Sequence, residues 1–541
     1  MSNTNSSAQS LTRRSFIALG AIASSASLEG AASAQNVTGD TSFEFNEVTI
    51  DQIQEGLKTG KWTVHNLAEK YLARIEEIDR KGPTLKSVIE VNSEVLSQAE
   101  TLDRELKAGK SRGRMHGVPI LLKDNIDTTG MQTTAGSLAL VGSKPEDAFL
   151  VKRLREAGAL ILGKTNLSEW ANIRCSYSTS GWSGRGGLTK NPYCLDRNPC
   201  GSSSGSGAAV AANLCVVAVG TETDGSIVSP SAANGIVGIK PTVGLVSRSG
   251  IIPISHSQDT AGPMARTVRD AAILLEALVA SDSEDAATTI KERPAKLNLS
   301  GCFDLNGLKG VRLGVARNFF NFHEGTEAVM KEALESLQKA GAKLIDPADV
   351  PNSDKVGDPE AIVLSYELKA DLNAYLEKLG PKAPVKNLRE LIEFNIKNAK
   401  TEMPFFGQDQ FEKAEARGDL NSYEYIEALA RCRKLMRTEG IDALMDKFKL
   451  DAIIAPTMGP ACMTDLVNGD RWLGGSSTPA AVAGYPSITV PAGFVYGLPV
   501  GLSFFGRAWS EATLIKLAFA FEQATKHRSP PKFLKTLEVK S

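Results

Sequence analysis

The sequence predicts an α/β fold: one large domain in which a mixed, mostly parallel β-sheet is covered by helices on both faces. Short apolar runs of the kind found in strands buried on both faces recur along the chain. Amphipathic segments with helical spacing lie between them, and strands that alternate with helices indicate a largely parallel sheet. No internal repeat and no Gly/Ser-rich or Pro-rich linker divides the 541 residues.

The predicted elements follow in chain order from apolar spacing. The first is a surface helix over residues 64–78, where apolar side chains recur at helical intervals. The buried strands are predicted at 120–122, 160–162, 216–219 and 453–454. Helices are predicted between them at 149–157, 268–280 and 328–340. Residues 280–430 are richer in charge and helical pattern, and we interpret them as a helical elaboration within a domain spanning 35–541.

Composition excludes several classes of function. With 42% hydrophobic and 23% charged residues, the chain has too much apolar material for a disordered protein. Its 61 basic and 62 acidic residues leave no positive excess for a phosphate backbone, so no nucleic-acid partner is expected. The five histidines fall into no zinc-binding spacing, and we expect neither a metal nor an organic cofactor.

The N-terminus is predicted to be an export signal. Arg13 and Arg14 precede a short apolar run at 18–28 and an Ala-x-Ala site at 32–34, the pattern of a twin-arginine signal peptide over residues 1–34. The run is shorter than a membrane span, so no stable anchor is expected. We therefore predict a periplasmic or secreted protein.

The seven cysteines are odd in number and irregularly spaced. This usage is typical of free, mostly buried thiols rather than of a disulfide framework. Cys194 and Cys200 are the one pair that the spacing leaves open for a bridge.

Two motif matches are rejected on their context. Residues 158–165 fit the P-loop pattern, but their middle is a predicted strand that follows a helix, whereas a phosphate cradle needs a loop in between. Ser203 is the central Ser of a G-x-S-x-G match at 201–205. The residues before it are polar and contain prolines, whereas a nucleophile elbow follows a buried strand.

Residues 201–226 carry the most chemistry. They contain five Gly, five Ser and no Lys or Arg, so backbone amides can approach a ligand closely and hydroxyls are available as nucleophiles. The segment 220–227 presents successive N–H groups just before Ser226, which favours an oxyanion-binding loop. Upstream, Lys123 stands at the end of an apolar strand. A neutral Lys acting through a second hydroxyl can activate a Ser where no His is available.

These motifs strongly resemble the amidase signature family, and the resemblance covers nearly the whole chain after the signal. Within the family, the segments NLSEWAN, GSSSGS and TETDGS are most similar to bacterial peptide amidases. The motifs that carry the family resemblance are 123–125 (KDN), 163–166 (GKTN), 201–206 (GSSSGS), 220–227 (GTETDGSI) and 238–242 (GIKPT).

The resemblance implies a role for each catalytic candidate. Ser226 is the nucleophile, Ser202 is a bridging Ser in a cis peptide bond after Gly201, and Lys123 is the terminal base. The choice of Ser202 over Ser203 depends on aligning the loop to Gly220 without gaps.

The remaining candidates belong to oxyanion and substrate binding. They are Thr223, Asp224, Gly225 and, on the acyl side with residues 178–180, Asn172. Two roles stay open for Asp224: a structural hydrogen bond to its loop, or recognition of substrate N–H groups. The common family form has Arg two residues after the nucleophile, whereas this chain has Val228. A substrate with a free carboxylate beside the reacting amide is therefore disfavoured.

The implied function is hydrolysis of a carboxamide with release of ammonia through an acyl-enzyme. C-terminal amides of peptides are the expected substrates, acted on by a monomer. A general aliphatic or aryl amidase remains an alternative. A glutamine amidase subunit of a tRNA amidotransferase is a second, although such a subunit works in the cytoplasm beside a partner, and the export signal argues against it.

Overall fold

Strands buried at every position form the centre of the fold. The computed structural model describes residues 43–380 and 383–537. The strands, in chain order, are β1 Val88–Val91, β2 Pro119–Lys123, β3 Leu160–Thr165, β4 Trp182–Ser183, β5 Gly187–Leu188, β6 Val217–Glu222, β7 Val237–Lys240, β8 Thr260–Ala265, β9 Arg312–Val315, β10 Lys343–Ile345, β11 Ala452–Pro456, β12 Ser487–Val495 and β13 Leu498–Phe505.

One large sheet contains eleven of the strands found in the described residues. Its order is β1-β3-β2-β6-β8-β7-β12-β13-β11-β9-β10, and β4 pairs separately with β5. Parallel pairs form two blocks, β3-β2-β6 and β11-β9-β10, which antiparallel strands connect. The fold class is confirmed as α/β with a mixed sheet. Of the ten pairs of neighbouring strands in this sheet, as the described residues form it, six are antiparallel. Apolar runs do not reveal this proportion, because a strand can be equally buried whether its neighbour runs parallel or antiparallel to it.

Helices flank the sheet. They are α1 Ile50–Lys58, α2 Val64–Arg74, α3 Val95–Lys107, α4 Phe149–Glu156, α5 Ser204–Ala211, α6 Val228–Ala233, α7 Val268–Leu278, α8 Glu324–Lys339, α9 Gly357–Leu379, α10 Leu388–Lys397, α11 Ala399–Glu402, α12 Asp409–Glu415, α13 Tyr423–Arg433, α14 Asp442–Phe448, α15 Thr478–Ala483 and α16 Glu511–Thr525. Successive residues of β2, β3 and β6 are all buried, so both sheet faces are covered there.

The individual sequence predictions of helices and strands are confirmed. The helix predicted at 64–78 begins at Val64, where Thr63 caps it by accepting the N–H of Asn66 at 3.0 Å, and it continues past Arg74 as a π-helical turn. The rejected P-loop match is strand β3. Its Lys164 is fully buried and donates to the carbonyl of Ile126 at 2.5 Å.

Residues 280–430 are mostly helical but are not separate from the sheet. They contain α8 to α12 and also β9 and β10, which extend the main sheet beyond β11. The described residues belong to one compact unit. No helix in these residues is long and apolar enough to cross a bilayer. The signal predicted for residues 1–34 lies outside the described residues and, like the monomeric state, stays a prediction.

Candidate active site

Lys123 lies at the carboxyl end of β2, inside the parallel block of the sheet. Its side chain is fully buried. The Nζ atom lies 2.7 Å from Ser202 Oγ. It donates to Thr221 at the end of β6, with distances of 3.2 Å to the carbonyl oxygen and 2.9 Å to Oγ1. The fold therefore brings together the predicted base and the predicted bridging Ser.

Burial changes the protonation of Lys123. It lowers the pKa of the amine from 10.5 to about 7, while the charges of Asp259 and Glu222 act in the opposite direction. A substantial fraction of Lys123 is consequently neutral near pH 7. Only the neutral amine has the lone pair that a general base needs.

The structure distinguishes Ser202 from its neighbour Ser203. The peptide bond between Gly201 and Ser202 is cis, as the resemblance implied. The Ser203 hydroxyl donates to the Thr221 carbonyl at 3.0 Å and accepts the Thr221 N–H at 3.2 Å. The Ser203 side chain thus binds the backbone of β6, and Ser202 faces Lys123.

Ser226 lies in the turn between β6 and α6. It is partly exposed, and its carbonyl accepts the N–H of Ser203 at 3.2 Å, which places the turn beside the 201–203 segment. Glu222 fixes the other side of the turn, because its Oε2 accepts the N–H groups of Ile227 at 2.7 Å and Val228 at 3.0 Å. A carboxylate at a helix N-terminus stabilises the first turn.

The backbone amides of residues 223–226 are free donors. Within the described part of the chain, none of these four N–H groups has a hydrogen-bond acceptor. Gly225 has φ of 77°, and a side chain there would contact Ser477 Oγ at 2.9 Å, so the turn requires glycine at this position. The loop predicted to bind an oxyanion therefore presents unused donors beside Ser226.

Asp224 is held by the start of α15. Its Oδ2 accepts from Thr478 Oγ1 at 2.6 Å, and its buried Oδ1 has no partner within the described residues. Burial raises the pKa of Asp224. Because one oxygen is bonded to α15 and the other is buried, the contacts favour the structural role that the sequence left open.

A second buried lysine lies close to the same loop. Burial lowers the pKa of Lys240 to about 8, and the carboxylates of Glu222, Glu511 and Asp224 oppose this effect. The charge of Lys240 in turn lowers the pKa of Glu222 and Asp224, the carboxylates on either side of Thr223, against the larger effect of their burial.

The predicted acyl-side residue Asn172 belongs to a strained segment. Trp170, Ala171 and Asn172 have φ values of 52°, 52° and 75°, a left-handed conformation that non-glycine residues rarely adopt in succession. Asn172 Oδ1 accepts from Ser178 Oγ at 2.8 Å, so the two predicted acyl-side segments do meet. Just before them, the N–H of Ser168 donates to the Ser202 carbonyl at 3.1 Å.

A buried ion pair anchors this segment on both sides. Arg174 Nη1 lies 2.9 Å from Glu169 Oε1, and both side chains are 1% exposed. The guanidinium also donates to the Glu402 carbonyl and lies 4.5 Å from the centre of the Phe406 ring. Burial raises the pKa of Glu169 to about 8, and Arg174 opposes this effect.

We expect Arg174→Met to lower the free energy of unfolding by roughly 2 to 5 kcal/mol, because it leaves two buried acceptors, Glu169 Oε1 and the Glu402 carbonyl, without the guanidinium that contacts them. Urea denaturation followed by circular dichroism measures this loss. Arg153→Met is the matched control. Its partner Glu156 is 64% exposed, so the change should stay within about 1 kcal/mol. Equal losses in the two variants would contradict the anchoring role.

Three side chains of metal-binding types meet near the site. His256 Nδ1 lies 2.9 Å from Asp371 on α9, and the neighbouring Glu367 accepts from Tyr425 at 2.7 Å and from Ser257 at 2.6 Å. Histidine spacing gave no sign of this group, because His256 is 115 residues from Asp371. These contacts tie α9 to residues 255–258, which lead into β8.

All seven cysteines are free. Cys194 donates to Asp196 Oδ1 at 3.0 Å rather than bonding to Cys200. Cys200, one residue before the cis bond, instead lines a small cavity together with Cys462.

Comparison with known proteins identifies the family. The model of the family described as Amidase matches residues 66–515. The chain belongs to the amidase family. Among solved structures, native peptide amidase from Stenotrophomonas maltophilia is 48% identical with a TM-score of 0.87, covering 90% of this chain and 99% of that one. This amidase is a hydrolase that acts on amides.

Two curated relatives extend the comparison. A probable amidase of Arabidopsis thaliana is 43% identical over 95% of this chain and 97% of its own length. A glutamyl-tRNA(Gln) amidotransferase component from Symbiobacterium thermophilum is 35% identical over 86% of this chain and 95% of its own length. The similarity therefore extends over most of the chain and includes the segments that form the site.

Several residues around the site of this amidase were not assigned from sequence. Asn125 Nδ2 donates to Thr221 Oγ1 at 2.9 Å, and Glu222 holds the start of α6. These three residues lie inside the motifs 123–125 and 220–227, so their positions could have suggested a role. Asp259 lies outside every motif that carried the resemblance.

Proposed function

We propose that this amidase removes ammonia from the C-terminal carboxamide of peptides, with Ser226 as nucleophile and Lys123 acting through Ser202. The distance of 2.7 Å between the buried Lys123 Nζ and Ser202 Oγ is the observation that carries the proposal. It pairs a hydroxyl with an amine whose pKa is lowered to about 7.

The relay begins from neutral Lys123. Two N–H groups of the amine donate to the carbonyl and hydroxyl oxygens of Thr221, which leaves the lone pair directed at the Ser202 hydroxyl. Lys123 accepts the Ser202 proton, Ser202 accepts the proton of Ser226, and Ser226 Oγ attacks the amide carbon.

The tetrahedral intermediate then needs donors for its negative oxygen. The free N–H groups of residues 223–226 supply them, and removal of one such donor typically costs about 3 to 4 kcal/mol of transition-state stabilisation. As the C–N bond breaks, the relay returns its proton to the nitrogen and ammonia leaves. Water hydrolyses the acyl-enzyme, giving up a proton by the same route.

Peptide amides are favoured as substrates by two observations. The likeness to a peptide amidase extends over 90% of this chain, and the segment at Asn172 is partly exposed, as a substrate-binding segment must be. Val228 stands where the common family form has Arg, so the nucleophile lacks a cation at that position to bind a free carboxylate.

Ammonia release from a panel of amides tests this proposal. The panel contains amidated di- and tripeptides, the same peptides with free carboxyl ends, free glutamine, and simple aliphatic and aryl amides. We expect kcat/KM to be at least about tenfold higher for amidated peptides than for simple amides, with no release from the free peptides. Activity on simple amides alone would contradict the peptide assignment and favour a general amidase.

The curated relative from Symbiobacterium supports a second candidate, a glutamine amidase that works within an amidotransferase. In that case free glutamine is the preferred member of the panel, and a partner protein raises the rate.

A further inference from the structure

Asp259 contacts the first residue of the oxyanion-binding loop and lies outside every motif used above. We propose that Asp259 is a positioning residue that fixes Thr223 in this loop and supplies one of the two negative charges acting on Lys123. The inference rests on the proposed function, because it assigns Asp259 to the same reaction.

Both carboxylate oxygens of Asp259 are held. Oδ1 accepts from Thr223 Oγ1 at 2.6 Å, and Oδ2 accepts the N–H groups of Ile254 and Ser255, each at 2.8 Å. The carboxylate therefore cannot rotate without losing a charge-assisted hydrogen bond. Since Thr223 is the first residue of the loop that presents free amides, fixing its side chain fixes where these amides begin.

A second connection fixes the Thr223 backbone. Gln258 Nε2 donates to the Thr223 carbonyl at 3.3 Å and to Glu360 Oε1 at 2.9 Å. Glu360 belongs to α9, so the loop is braced against the helical elaboration as well as against β8. The neighbours Gln258 and Asp259 thus hold one residue by its backbone and its side chain.

Asp259 also acts on Lys123 through its charge. Asp259 lines a cavity of about 290 Å³ together with Asn125, Thr221 and Thr223. Of these residues, Thr221 accepts hydrogen bonds from Lys123 Nζ. Asp259 and Glu222 are the charges that oppose the effect of burial on Lys123. Glu222 already accepts two N–H groups at the start of α6, and the charge of Lys240 acts on it as well.

Other charged groups line the cavity, and each has an oppositely charged partner; that of Glu284 is Lys378, outside the cavity lining. Arg248 binds Asp285, with its Nε 2.8 Å from Oδ2, and also attracts Asp259. His256 binds Asp371, whose charge raises the pKa of Asp259. Burial has the largest effect and raises the pKa of Asp259 to about 6, so the group is ionised at neutral pH.

The pH dependence of kcat and kcat/KM in Asp259→Asn tests the proposal, using the amide that the native enzyme hydrolyses fastest. A negative charge stabilises protonated Lys123, so its removal lowers the lysine pKa. We expect the acidic limb of the profile to move to lower pH by roughly one unit. We also expect kcat to fall between roughly ten- and a hundredfold, because the side-chain amide cannot accept both backbone N–H groups and the Thr223 hydroxyl as the carboxylate does.

Three further variants separate the two roles. Thr223→Val removes the hydroxyl that binds Asp259 but keeps the carboxylate charge. It should therefore lower kcat and leave the acidic limb of the pH profile in place. Asp259→Glu keeps the charge but displaces it, so it should lower kcat with little movement of the limb. Glu284→Gln is the matched control, because Glu284 lines the same cavity but is 69% exposed, and its limb and rate should remain native.

A folded Asp259→Asn enzyme with a native limb and native kcat would overturn the inference. If that variant does not fold, native kcat in both Thr223→Val and Asp259→Glu overturns it. A native enzyme inactive on every amide would instead contradict the proposed function.

Discussion

Ser226→Ala should lower kcat/KM for the best amide by roughly 10⁴- to 10⁶-fold, because the variant lacks the atom that forms the acyl-enzyme. The residual rate would reflect binding and the free amides of residues 223–226 alone. Ammonia release under single-turnover conditions measures the loss, and mass spectrometry of the quenched native enzyme detects the acyl group on Ser226.

Ser203→Ala is the control for this variant. The Ser203 hydroxyl binds the backbone of Thr221, so its removal should change the rate by less than about tenfold. A large loss in Ser203→Ala together with an active Ser226→Ala would show that the nucleophile has been assigned to the wrong serine.

Lys123→Met should have the second largest effect, a loss of roughly 10²- to 10⁴-fold in kcat near neutral pH. In the native enzyme the rate should fall as the pH drops below about 7, because the amine that accepts the Ser202 proton becomes charged. The variant lacks this titrating group, so its residual rate should show no such limb. A native-like limb in Lys123→Met would contradict the assignment of the base.

The same substitution has an opposite effect on folding. Lys123 has a pKa of about 7 in the folded chain and 10.5 when exposed, so between these values the unfolded chain binds more protons and stability rises with pH. Below pH 7 the full cost of burying the charged amine is present, on the order of 5 kcal/mol of stability. Lys123→Met avoids it, so thermal unfolding at pH 7 should occur no lower than in the native protein.

Apolar spacing in the sequence predicted where buried strands lie but not how they are arranged in the sheet. Spacing located β2, β3, β6 and β11, because a run buried on both faces leaves a plain signal. It did not reveal that β8 runs antiparallel to β6, since strand direction depends on connections that burial does not record. The short strands β9 and β10 were missed inside a region dominated by helical pattern.

In the site, too, some residues were predictable from sequence and others were not. Ser202, Ser226 and Lys123 were predicted because they lie in short motifs whose residue types fit one chemistry. The Arg174 and Glu169 pair and the contacts of Asp259 were not predicted, because each forms only in three dimensions. Resemblance predicted which residues react, and the structure was needed to show which contacts hold them.

The strand order also determines which edges of the sheet are unpaired while the chain is being synthesised. β12 and β13 are the last strands to leave the ribosome, yet they lie between β7 and β11 and connect the two halves of the sheet. Until residues 487–505 emerge, the earlier strands have open edges at β7 and β11 that could pair with other nascent chains. A fragment that ends before residue 487 should therefore be aggregation-prone, and chaperone binding during translation should persist until the final hairpin is complete.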